Sequence, residues 1–506
     1  MFHSSLFRSG AFGLSLAALA LLAACSYPTR NQPLTAATPA QPYSWEAMNK
    51  AAPDDMPETL IVVTASGGGT RATALAMSVL ETLDHVKLPN GRSMADEVDL
   101  VSSVSGGSVA AGYFALHGAA GFPALEKDFV RRDGMSRLLL AGANPLGLAA
   151  LSLPSKERID LLIDYLDSTL FHGATFADLA VAKRRPYLML DAADMVEGVP
   201  FPFTQYTFDL LCSDLTKLKL STAVAASAAF PVALSPVTLT NYSAGRQCPA
   251  AVPQPAWVAE VLQDQLNTDP AEWQKQQVAG WHLNPERVAQ ARVARAYASG
   301  AKPYIHLLDG GIADNLGVAE PYRLLTNLGV NPPLLGDIEK GITKRIVFIM
   351  VNARSFPASD LDQQQATPGM LSMGLASIDS AIDRATAGSA ARVKQLLVEA
   401  LDAYAAQARP FSATLADHLE TAARNTTFVA VDFDAIPSTS CRQRFHGIPT
   451  SWTLTPDQVD GVEAMGEALL GADANFTKLV SDLGGKVERP IVSIDEACQV
   501  YPATAQ

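Results

Sequence analysis

Ser105 stands where an apolar run meets a helix-forming run, inside the stretch EVDLVSSVSGGSVAAGYFA from Glu97 to Ala115. Val98, Leu100, Val101 and Val104 read as a strand, Ser105-Gly106-Gly107-Ser108 as a tight turn, and the small residues beyond as a helix. Strand, turn and helix make a nucleophile elbow, which exposes a serine hydroxyl at the tip of the turn above a helix N-terminus. Small neighbours are needed because the helix packs back on the strand, and Ser103, Gly106 and Gly107 supply them. The usual pattern is G-x-S-x-G, and Ser103 occupies its first glycine. Alone, a Ser-Gly-Gly turn is more often a plain strand-to-helix connection, so the reading needs partners.

A serine hydroxyl needs a base to take its proton, and a tetrahedral oxyanion needs preorganised donors. Gly67-Gly68-Gly69 lies between a strand and a helix, where flexible residues expose backbone N–H groups at a positive helix end. Gly67-x-Gly69-x-x-Ala72 also fits a loose dinucleotide fingerprint. That fingerprint asks for an acidic residue at the end of the next strand, which here ends in Ser105, and no P-loop Lys-[Ser/Thr] follows. An oxyanion hole is the better use of the same amides. For the base, Asp309 lies at a strand end directly before Gly310-Gly311, where the bland alternative is a turn aspartate. An aspartate near its reference pKa of about 3.9 is a weak base, so burial beside Ser105 has to raise it. Among the histidines after Ser105 only His446, before Gly447, reads as lying in a strand-end turn with glycine. A Ser–Asp–His triad using it is the rival arrangement.

The positioning elements are read from pattern. Thr59–Thr64 (TLIVVT) suits a buried parallel strand, with an apolar helix over Ala72–Val86, and the elbow repeats this strand-turn-helix unit. Two such units in succession imply an α/β fold with a largely parallel sheet. Further strands are expected over Arg185–Asp191, within Phe201–Leu210, over Tyr304–Leu308, Arg345–Asn352 and Phe428–Phe433. Ala223–Leu239 reads as a small-residue helix broken at Pro231 that leads into a strand, and Pro456 to about Leu470 as an amphipathic helix. Helical insertions are expected near 120–182, 249–301 (with Trp257, Trp273 and Trp281) and 360–424. Leu138–Pro154 is almost free of charge and reads either as buried core or as a lipid-facing lid.

Taken together, S-G-G-G-T-R at Ser66–Arg71, S-x-S-G-G at Ser103–Gly107 and D-G-G at Asp309–Gly311 resemble the patatin-like phospholipases. The resemblance implies a three-layer α/β/α fold and a serine acyl hydrolase with a Ser–Asp dyad. Ser105 would be the nucleophile, Asp309 the base and the Gly67, Gly68 and Gly69 amides the oxyanion hole. Arg71 matches a basic position that can meet a substrate phosphate, the plain alternative being an ion pair at the helix start. Ala223–Pro236 resembles the family's A-x-A-S-x-A-x-P run, a packing element near the site. Ser66 and Ser103 depart from the pattern, which usually has aspartate or glycine at the first position and glycine at the second. No metal or organic cofactor is implied, because backbone dipoles give the electrophilic help.

The chain has 506 residues, 48% hydrophobic and 18% charged, enough for one large α/β domain with insertions. Its net charge of -13 argues against nucleic acid as a partner. Residues 1–24 read as a signal peptide: Ala11–Ala24 is apolar but too short to span a bilayer. Leu22-Ala23-Ala24-Cys25 resembles the lipobox of bacterial lipoproteins. That resemblance implies cleavage before Cys25, a lipid on its thiol and, with Ser26 following, export to the outer membrane. Residues 25–50 then form a proline-containing tether and 55–500 the catalytic domain. In an oxidising compartment Cys212, Cys248, Cys441 and Cys498 could form two disulfides, proximity favouring Cys212–Cys248 and Cys441–Cys498. The leading expectation is a lipid-anchored hydrolase of lipid acyl esters. The others are a triad hydrolase and a catalytically silent lipoprotein that binds lipid or a partner.

Overall fold

A computed structural model gives the fold. It describes residues 29–35, 43–51, 56–143, 156–182, 184–231, 233–245, 248, 258, 262, 285–326, 333–356, 365 and 367–502. Cys25, the three tryptophans 257, 273 and 281, and most of the 138–154 segment lie outside these. Within that segment Leu138 is described, partly buried against the core on the helix Gly134–Ala143.

The main sheet contains β1 (Thr59–Ala65), β3 (Leu100–Val104), β4 (Tyr187–Asp194), β5 (Pro200–Pro202), β6 (Val237–Thr240), β7 (Tyr304–Asp309), β8 (Arg345–Asn352) and β9 (Thr427–Asp432). The short β2 (Val86–Lys87) pairs separately with β10 (Lys486–Val487). The spatial order is β6-β7-β4-β3-β1-β8-β9, with β5 pairing β4. Neighbours from β4 through β9 run parallel. β5 and β7 run antiparallel to β4, and β6 antiparallel to β7. The parallel strands are apolar and β-branched because both faces are covered, and β1 and β3 are buried along their whole length.

The helices around the site are α1 (Gly69–Asp84), α2 (Gly106–His117), α3 (Leu220–Ser227), α4 (Gly311–Asp314), α5 (Met370–Ala408) and α6 (Pro456–Ala472). α6 packs on α1, α1 on α2 and α2 on α3, while α5 packs against α4 and the helix Ala413–Arg424. This is the three-layer α/β/α arrangement expected from the motifs. The expected strand over Arg345–Asn352 is reproduced end to end, and that within Phe201–Leu210 shrinks to three residues before the helix Gln205–Leu210. Both disulfides favoured by proximity form, Cys212–Cys248 and Cys441–Cys498.

The amino-terminal stretch departs from a free tether. Residues 29–35 are docked on the domain: Arg30 pairs with Glu157 at 2.9 Å and Asp160 at 2.6 Å. Asn31 is buried, its amide bonding both the N–H and the C=O of Thr240. Pro33 bridges Ser213, and Leu34 packs against Cys212 and Tyr242. Further on, Tyr43 is fully buried, its hydroxyl bonded to the backbone of Leu188. Proline content suggested an extended linker, but a buried tyrosine and a paired arginine outweigh it.

Candidate active site

Ser105 follows β3 directly and caps α2 with φ 51° and ψ −121°. Few residues other than glycine adopt a positive φ, and holding one there costs roughly 1–2 kcal/mol, so the surroundings must fix it. Small neighbours let them do so. A Cβ on Gly106 would stand 2.0 Å from the Gly69 carbonyl oxygen, and one on Gly107 2.6 Å from those of Ala65 and Ser66. The glycine loop and the elbow helix therefore lie directly against each other.

Ser227, the last residue of α3, completes the support. Its hydroxyl accepts the Ser105 N–H at 2.9 Å, donates to the Asp191 carbonyl at 2.6 Å and meets Ser108 Oγ at 2.9 Å. Its carbonyl accepts the Gly310 N–H at 3.0 Å, and the Ala229 carbonyl accepts the Asp309 N–H at 3.0 Å. The A-x-A-S-x-A-x-P run thus ties down both functional turns, a more specific part than packing. Beyond its place in that run, Ser227 carries no signal in the sequence, because its two turn-fixing bonds are long-range and leave no local pattern.

Register explains how Asp309 reaches the serine. Val104 pairs Asp191 on β4, and the next β4 residue, Ala192, pairs Asp309. Ser105 and Asp309 therefore flank the same level of β4 from either side. Asp309 does end its strand, but β7 is antiparallel and approaches the carboxyl edge of β3 from the opposite direction. The Asp309 carboxyl is buried and accepts the Gly311 N–H at 2.9 Å. Burial raises its pKa from 3.8 to about 6, with the Gly311 N–H and the nearby Ser105 side chain pulling the other way.

The glycine loop lies beside them. Gly68 and Gly69 have φ of 142° and 59°, which other residues rarely adopt. A Cβ on Gly67 would come within 3.3 Å of the Ser105 Cβ and 2.5 Å of Asn315 Oδ1. The Gly67 N–H itself donates to the Asn315 carbonyl at 3.1 Å, so it is already committed. Gly68 and Gly69 have no recorded acceptor among the described residues. Asn315, also buried, donates its side-chain amide to Thr386 at 3.0 Å, joining the glycine loop to the Asp309 turn and α5. It stands four positions beyond Gly311, too far for the D-G-G motif to include it.

Arg71 lies against the glycine loop, its Nη2 2.9 Å from where a Gly68 Cβ would stand, but its donors are spent inside the fold. It is 2% exposed, and its guanidinium donates to the carbonyls of Ala353 at 2.8 Å and Ile448 at 2.6 Å and to the Thr450 hydroxyl at 3.0 Å. Burial lowers its pKa to about 9. The ion pair expected as the plain alternative does not form among the described residues, and with its donors on two carbonyls and a hydroxyl a phosphate contact would have to displace one of them. It ties α1 to β8 and to the loop beyond His446. A motif match places a residue in sequence but does not set which way its side chain turns.

The two departures from the motif are accommodated. The Ser66 hydroxyl accepts the Ala353 N–H at 2.8 Å and donates to the Gly67 carbonyl. Ser103 is fully buried, its hydroxyl against the Met189 carbonyl and Ser108 Oγ at 3.2 Å. Its extra group extends the hydroxyl network without disturbing the turn. His446 gives Nε2 to Asp434 at 2.9 Å, and no recorded hydrogen bond joins a histidine to Ser105 among the described residues.

A parallel-stranded three-layer fold with an elbow serine against a buried aspartate defines the class. Residues 63–258 match the family model of the patatin-like phospholipases, so this part of the chain is similar to that family. The matched span contains the glycine loop, Ser105 and Ser227, whereas Asp309 lies beyond it. No curated protein matches the chain. Among solved structures, human GIVD cytosolic phospholipase A2 is similar at 11% identity with a TM-score of 0.31, over 61% of this chain and 48% of that one. The chain thus spans about half the length of that structure.

Proposed function

We propose that the chain is a serine acyl hydrolase acting on lipid esters through Ser105 and Asp309. The observation that carries this reading is the register that sets the strained elbow serine and the buried Asp309 carboxyl at the same level of β4. Once ionised, Asp309 takes the Ser105 proton as Oγ attacks the ester carbonyl. The Gly68 and Gly69 amides, at the N-terminus of α1, receive the oxyanion of the tetrahedral intermediate. Collapse breaks the acyl C–O bond; the leaving alkoxide takes the proton from Asp309, and the acyl group stays on Ser105. Water then repeats the sequence, giving up a proton to Asp309 and releasing the acid with the serine restored.

The match to the patatin-like phospholipases over residues 63–258 supports a lipid ester, phospholipid first, as substrate, with an acyl ester as the bond cleaved. The lipobox-like Leu22–Cys25 supports an exported chain anchored to a bacterial membrane by lipid on Cys25, outer in preference to inner. Turnover of phospholipid and of a soluble short-chain ester by the wild type, lost in both Ser105→Ala and Asp309→Asn, tests the assignment. Retained turnover in either folded variant contradicts the dyad. A His446→Ala variant should keep its rate, because that histidine serves Asp434.

A further inference from the structure

We propose that the carboxyl edge of the sheet, where Met195, Val196 and Tyr304 stand beside the docked residues 29–35, rests on the bilayer that holds Cys25. The inference rests on the reading of Cys25 as lipid-bearing and adds the orientation of the domain. Three residues, Ser26 to Pro28, separate Cys25 from the docked segment. Four residue steps reach at most about 14 Å. The docked segment is fixed by the Arg30 pairs with Glu157 and Asp160 and by the Asn31 amide on Thr240. A lipid on Cys25 therefore cannot let the domain swing on a long leash; it places this face at the membrane.

The face has the side chains for it. Thr240, gripped by Asn31, pairs with Tyr304, and the Met195 N–H donates to the carbonyl of His306, two residues along β7. Tyr304 is 61% exposed, Met195 46% and Val196 68%. An exposed tyrosine with neighbouring aliphatic side chains suits the headgroup boundary, where amphipathic aromatics are favoured. No described helix is long and apolar enough to cross a membrane.

The same edge leads to the reacting residues. Tyr304 and Asp309 are five steps apart on β7, about 17 Å at strand spacing. A second route runs from Asp309 through the Ala229 carbonyl, along the chain to Ser235, whose hydroxyl accepts the Ile159 N–H beside Glu157 and Arg30. The anchor and the serine thus share one end of the sheet, and the substrate is lipid of the bilayer that carries the enzyme. The opposite end holds a polar cleft of about 430 Å³ lined by Arg345, Lys394, Arg424 and Lys478. It is the competing face for an anionic membrane.

Hydrogen exchange of the lipidated full chain, on phosphatidylethanolamine–phosphatidylglycerol vesicles and in detergent, tests the orientation. Slowed exchange over 195–199 and 304–306 on vesicles is expected, with 474–482 unchanged. Protection over 474–482 instead, or at neither place, overturns the proposal. Intact mass of the amino-terminal peptide reports separately on the lipid, and a peptide without it removes the anchor and with it the orientation. The double variant Met195→Glu/Val196→Glu gives an independent readout. Two charges at an interface should slow hydrolysis of vesicle lipid about tenfold and leave a soluble short-chain ester within about twofold. Equal rates of both variant and wild type on vesicles contradict the proposal, while loss of soluble-ester turnover by the wild type would contradict the hydrolase reading instead.

Discussion

The backbone N–H of Ser105 donates to the hydroxyl of Ser227 at 2.9 Å, and the carbonyl of that same Ser227 accepts the Gly310 N–H. One residue on α3 therefore fixes the serine turn through its side chain and the aspartate turn through its backbone. The alignment of Ser105 with Asp309 depends on both.

This division makes Ser227→Ala selective. Alanine keeps the carbonyl and hence the Asp309 turn, but it leaves the buried Ser105 N–H unpaired, at a cost of about 1–3 kcal/mol. Steady-state kinetics should show kcat reduced roughly 10- to 100-fold with KM little changed, since the misplaced group acts in the chemical step. An unchanged kcat would show that the elbow holds itself.

Activity should follow ionisation of Asp309. Because burial raises this carboxyl to about 6, the base form is lost as pH falls through that value. The acidic limb of kcat/KM should lie near pH 6. A limb below pH 5, in the range of an ordinary carboxyl, would contradict the assignment.

Stability carries the opposite sign. A carboxyl whose folded pKa lies above its unfolded one binds its proton more tightly in the native state, so stability falls as pH rises from about 4 to 6. Keeping Asp309 ionised above that window costs on the order of 3 kcal/mol. Asp309→Asn should be inactive yet more stable at pH 8, with the gain shrinking toward pH 4 in denaturant melts. A variant less stable at pH 8 would show that the carboxylate is held by more than the bonds described.

Arg71 separates fold from chemistry. Removing its guanidinium in Arg71→Ala leaves the Ala353 and Ile448 carbonyls buried without their donors, so stability should drop by about 3 kcal/mol or more. Under conditions where the variant folds, its relative rates on phospholipid and on a neutral ester should match the wild type. A selective loss on phospholipid would restore a phosphate contact.

Much of this was legible in sequence because it is local. β-branched runs ending in glycine turns mark β1 and β3, and Asp309 stands out before two glycines. The remainder is set by contacts distant in sequence. β7 could not be oriented without its partner β4, and nothing near Gly67 shows that its amide is spent on Asn315, 248 residues away. Arg71 matched a motif, yet its direction follows from carbonyls just after β8 and beyond His446. The docked Arg30 hid among prolines because its partners Glu157 and Asp160 lie elsewhere.

The central claim is that Ser105, alone among its neighbours Ser102, Ser103 and Ser108, is an activated nucleophile. The direct measurement is reaction with a fluorophosphonate, followed by peptide mapping, in the wild type and Asp309→Asn. One adduct is expected, on Ser105, formed far more slowly in the variant. An adduct on another serine, equal rates in both proteins, or no adduct on a folded wild type would contradict it.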